Sequence, residues 1–107
     1  MTTQYHTMKT TIEQRLSSAF NPVFLEVQND SHLHKGPATD SHFKATIVSS
    51  SFDGQSLVNR QRSVYRTLNQ IMPNIHALQL HTYTLEEWQT RKKQVAQSSA
   101  CAHAKKV

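Results

Sequence analysis

Seven histidines and one cysteine are the residues of this chain whose chemistry best suits a metal. Three of them, His32, His34 and His42, fall in one polar stretch, NDSHLHKGPATDSHF (residues 29 to 43), with Gly36 and Pro37 between them. Two more, His76 and His81, lie in HALQLHTY, residues 76 to 83. Imidazole ligates iron, zinc and copper, and it titrates near neutral pH. Cys101 stands alone, so it can neither close an internal disulfide nor by itself hold zinc or an iron–sulfur cluster. Metal chemistry would therefore rest on histidine, on carboxylates or on ligands from a partner. Cys101 itself reads either as an extra thiol ligand or as a solvated cysteine.

A second chemistry is carried by cations. Lys and Arg number 12 against 7 acidic residues, a net charge of +5. Arg60, Arg62 and Arg66, with Lys44 and the Arg91-Lys92-Lys93 run, could contact phosphates, because guanidinium forks match phosphate oxygens. The same residues also read as a plain solvated basic face. Enzyme constellations are missing: there is no nucleophile elbow, phosphate loop or metalloprotease helix. Asp30, Asp40 and Asp53 lie in or beside turns, where aspartate bends and caps the chain. The expectation is a protein that is not an enzyme.

The elements that must position these groups follow from periodicity. Met8, Ile12, Leu16, Ala19 and Phe20 recur at helical spacing, and Asn21-Pro22 ends that helix. Residues 23 to 28 and 42 to 49 alternate as strands, with Phe43, Ala45 and Ile47 on one face. Thirteen residues, 29 to 41, separate them; hairpin loops usually have about two to five, and long connections are often functional or disordered. Phe52-Asp53-Gly54 reads as a turn. From Ser56 to Met72 the pattern predicts a short helix, a turn at Asn59 and a longer helix, whose apolar face is Val64, Tyr65, Leu68, Ile71 and Met72. Residues 76 to 83 form a third strand, on which His76 shares a face with Leu78 and Leu80 and reads most simply as a core or edge histidine. Thr84 to Glu87 is a capping box opening a last helix anchored by Leu85 and Trp88.

The order is α-β-β-α-α-β-α. A chain of 107 residues with 36% hydrophobic residues fits one α+β domain, a small three-stranded mixed sheet covered by helices. The expected boundaries are a flexible N-terminus at 1–6, the domain at 7–97 and a flexible tail at 98–107. No apolar run approaches the ~20 residues of a membrane span, and MTTQYHTMKTTIEQ lacks the apolar centre of a secretory signal. The cytoplasm is the expected compartment.

Two stretches, SHFKATIVSSSFDGQSLVNRQRSVYRTL and HALQLHTYTLEEW, resemble the BolA family, in a match running from about Met8 to Lys92. The family usually carries Arg-His-Arg where this chain has Arg60-Gln61-Arg62. The resemblance implies a fold similar to a type II KH domain. It implies partnership with a monothiol glutaredoxin around a shared 2Fe–2S cluster, with His34 and His76 at the positions of the family's cluster ligands. It also implies transcriptional regulation tied to stress and cell shape. A KH domain proper clamps nucleotides with a Gly-x-x-Gly loop; with only Gly36 and Gly54, this chain has none. DNA contact through Arg60, Arg62, Arg66 and Lys44 is thus the second reading. The free protein is expected to be a monomer or a weak homodimer.

Overall fold

The computed structural model describes residues 7–30 and 42–94. Helix α1, Met8–Phe20, begins where the Thr7 side chain accepts from the Thr10 amide, and it ends at Asn21 in the left-handed region (φ 43°). Strands β1 (Phe24–Asn29) and β2 (His42–Val48) pair antiparallel. After a 3-10 turn at Ser50–Phe52, Gly54 takes φ +74°, a conformation that L side chains rarely adopt. Helix α2, Leu57–Thr67, then crosses over to β3, Ala77–Tyr83, which lies parallel to β2. A parallel partner requires such a crossover, since no tight turn can join the two ends. Helix α3 covers residues 85–94.

The sheet order is β1-β2-β3, mixed as expected. Its inner face carries Val27, Phe43, Ala45 and Ile47 against Ile12, Leu16 and Phe20 of α1 and Val64 of α2, with Leu68 and Ile71 completing the core. Among the described residues, its outer face is covered at one end, where Trp88 of α3 stacks on Phe24 (5.0 Å) and tilts against Tyr83 (5.3 Å). The buried Ser49 hydroxyl donates to the Phe20 carbonyl at 2.6 Å, tying the end of α1 to the end of β2.

One expectation is corrected. No turn falls at Asn59: the Ser56 side chain accepts from the Asn59 amide, so Asn59 lies within the capped first turn of a continuous α2. The helical pair is instead α2 and a 3-10 turn at Met72–Asn74, where Pro73 stops any longer helix. The capping box is present as read: Glu87 accepts from the Thr84 amide at 3.0 Å, and Thr84 accepts from the Glu87 amide at 3.1 Å.

Glu87 also fixes α3 to α2. Arg60, only 5% exposed, donates to both Glu87 carboxylate oxygens (2.7 and 3.1 Å) and to the carbonyls of Thr82 (3.2 Å) and Gln55 (3.0 Å). The Arg60 guanidinium, followed by the Thr84 amide, holds the Glu87 carboxyl below its ordinary value of 4.5. A carboxylate with a lowered folded value contributes stability that is complete above its unfolded value and lost as pH falls through the folded one. Arg60→Ala should cost about 2 kcal/mol by urea denaturation at pH 7, because it leaves the Thr82 and Gln55 carbonyls without their donor, while the half-exposed Glu87 carboxylate turns to water. Glu87→Gln should be less stable than wild type at pH 7, and the gap should close on acidification below 4.5. A gap that stays constant down to acid unfolding would refute this clamp.

Candidate functional site

The parallel register sets His42 of β2 opposite Ala77, the first residue of β3. His76 immediately precedes Ala77, so the two histidines meet at the same end of the sheet. Their ring centroids are 4.8 Å apart and their planes tilt by 47°. His76 is exposed and His42 half-buried, and the His42 carbonyl accepts from the Asp30 amide at 2.8 Å. A groove of about 420 Å³ beside them is lined by Asp30, His42, Phe43, Ala77, Leu78 and Gln79.

Of the two expected alternatives for His76, core or edge, the structure shows the edge: it is exposed at a bend before β3, outside the packed face of Leu78 and Leu80. His42 opens β2 and is the ring beside His76. Sequence reasoning missed the pair because it comes from strand register, and the legible signal was the same one at both places, a histidine at the opening of a strand. His34, with His32, lies outside the described residues, as does Cys101. His81 points to the sheet's outer face, beside Thr46, away from the pair.

The donor chemistry fits part of a cluster shell. Two exposed or half-exposed imidazoles can offer nitrogen lone pairs, but among the described residues no group of three or more His, Cys, Asp or Glu gathers to hold a metal. A 2Fe–2S cluster needs four ligands, mostly thiolates. This chain's pair could supply half the shell at most, and a partner would supply the rest.

The cation set divides differently. Arg60 is removed from any nucleic-acid surface, because its guanidinium is spent inside the clamp to Glu87. Arg62 and Arg66 are exposed on α2, one turn apart. Lys44 is half-buried on the outer face of the sheet, on the far side from α2. The four basic residues therefore do not form one patch. No helix among the described residues is long and apolar enough to cross a membrane.

The layout, a mixed three-stranded sheet with α1 and α2 on one face, defines a small KH-like α+β domain. A family model described as BolA-like protein matches residues 16–87, and the chain belongs to this family. It is 45% identical over 95 residues to the DNA-binding transcriptional regulator BolA of Escherichia coli (strain K12), covering 87% of this chain and 90% of that one. It is 45% identical over 92 residues to the protein of the same name from Vibrio cholerae, covering 84% and 87%. Among solved structures it resembles BolA1 from Arabidopsis thaliana, with a TM-score of 0.73 and 32% identity over 78% of this chain and 98% of that one.

The ring contact is directly checkable. In side-chain NMR spectra, His76→Ala should shift the His42 ring resonances strongly and leave those of His81 nearly unmoved. Equal, small effects on both would contradict the pairing.

Proposed function

We propose that this chain is a non-enzymatic adaptor and regulator that binds a monothiol glutaredoxin and shares a 2Fe–2S cluster with it, in iron–sulfur homeostasis and stress response. The observation that carries the reading is the contact between exposed His76 and His42, at one end of a sheet whose register fixes both. His76 is the principal ligand from the described residues, and His34 is the second ligand that the family resemblance implies. His42 orients the His76 ring or stands in for a ligand. The cluster, when bound, would supply one-electron redox chemistry and a transferable iron–sulfur unit. The protein's own part is to present the His76 imidazole at the opening of β3. An imidazole ligates only when neutral, so acidification loosens its hold, and histidine ligation raises the potential relative to an all-thiolate site. Both properties suit sensing or transfer better than storage.

A second reading, DNA-binding transcriptional regulation, is favoured by the names of the bacterial relatives. On this chain it would act through exposed Arg62 and Arg66, not Arg60.

Anaerobic reconstitution with a monothiol glutaredoxin tests the first reading. Wild type should form a stable heterocomplex with altered visible absorption and circular dichroism, His76→Ala should lose it, and His34→Ala and His42→Ala should weaken it. An unchanged glutaredoxin spectrum and no complex would sink it. For the second reading, Arg62→Ala with Arg66→Ala should lower DNA affinity and flatten the slope of log K against log salt by ~0.9 per arginine that contacts a phosphate. Unchanged affinity and slope would remove DNA contact from α2.

A further inference from the structure

Among the described residues nothing covers the outer face of the sheet beyond Trp88, and polar side chains from three strands and α3 line a groove there. Gln28, Lys44, Thr46, His81 and Arg91, with Glu26 at the β1 edge, line a groove of about 230 Å³. Register places Glu26, Thr46 and His81 in one row across the sheet, and Gln28 and Lys44 in the next. Lys44 and His81 are diagonal neighbours, about 7–8 Å apart at the backbone, within reach of one small ligand. Among the described residues, the side chains of Glu26, Gln28, Lys44, Thr46 and His81 make no hydrogen bond or ion pair, although all but Glu26 are half-buried. Their polar atoms are open to solvent rather than buried, so a ligand entering the groove can take up their hydrogen-bonding capacity.

We propose that this groove is an anion site in which Lys44, Thr46 and His81, closed from above by Arg91, hold a phosphate group. The donors come from different directions: an ammonium from β2, a hydroxyl from the floor, an imidazole from β3 and a guanidinium from α3. That arrangement suits a tetrahedral anion better than a planar carboxylate. The aromatic wall does not offer a stacking platform for a base. Trp88 is already stacked on Phe24, and the Arg91 guanidinium lies 5.5 Å over the Tyr83 ring. Recognition therefore falls on the phosphate itself, either free or part of a nucleic-acid backbone. Glu26 opposes the charge of such a ligand and keeps the site weak. The assignment rests neither on the histidine pair nor on the arginines of α2.

The test is an amide chemical-shift titration of the full chain at constant ionic strength, with inorganic phosphate, adenosine monophosphate and a short single-stranded oligonucleotide in parallel. The expected perturbations centre on Gln28, Lys44, Thr46 and His81. Lys44→Gln and His81→Asn should each weaken binding about fivefold, and Glu26→Gln should tighten it about two- to threefold. Glu13→Gln, an equal change of net charge on α1 across the sheet, should leave it unchanged. Saturation by phosphate and the nucleotide assigns a free phosphate ligand, and binding of the oligonucleotide alone assigns a nucleic-acid backbone; both support the site. Shifts confined to Arg62 and Arg66, an equal response to Glu13→Gln and Glu26→Gln, or no shifts at all would overturn it. The first of those results would leave DNA binding through α2 standing.

Discussion

The parallel register of β2 on β3 is the constraint on which the rest of the molecule depends. With His42 opposite Ala77, the core residues Phe43, Ala45 and Ile47 face inward with Leu78 and Leu80, while Lys44, Thr46 and His81 face outward. A slip of one residue would exchange those two sets, because side chains alternate with period two. The buried face forbids that slip, since it would turn polar side chains toward the core. The burial of apolar side chains thus fixes the meeting of His42 and His76, although neither histidine belongs to the core. The outer-face groove is a second consequence of the same register.

Arg60 shows how charge in a sequence can mislead about surface. Of the three arginines on α2, Arg60 alone turns inward, where four donated hydrogen bonds join the α2 start, the end of β3 and the first turn of α3. It also lies 5.9 Å from the centroid of the buried Phe52 ring. Removing one partner of such an arrangement leaves buried polar groups without bonds, which is why it is costly. Glu87 serves two elements at once, closing the α3 cap and receiving Arg60. The placement of Trp88 over Phe24 and Tyr83 follows from that anchored first turn, and so does the boundary of the open part of the sheet.

Much of this was legible before any coordinates. The helical face of Ile12, Leu16 and Phe20, the alternation in Phe43, Ala45 and Ile47, the turn at Gly54 and the Thr84–Glu87 cap are local signals, and each appears where its pattern put it. Two causes account for the differences. At Asn59 the conflict is local: it is a poor helix former by propensity, and the Ser56 cap overrides that preference. The other two are long-range: the burial of Arg60 depends on Glu87, 27 residues away, and the contact of His42 with His76 depends on strand register. Local chemistry can be read from local sequence, whereas pairings across the fold cannot.

The central claim is that this chain contributes an imidazole from the start of β3 to a cluster shared with another protein. The most direct measurement is electron–nuclear spectroscopy of the reduced heterocomplex with a monothiol glutaredoxin, in which only this chain carries nitrogen-15 histidine. The account predicts a strong nitrogen-15 hyperfine coupling on the cluster of the wild-type heterocomplex, which His81→Ala leaves intact, and no such heterocomplex spectrum from His76→Ala. A cluster spectrum without nitrogen-15 coupling, or one unaffected by His76→Ala, would contradict it.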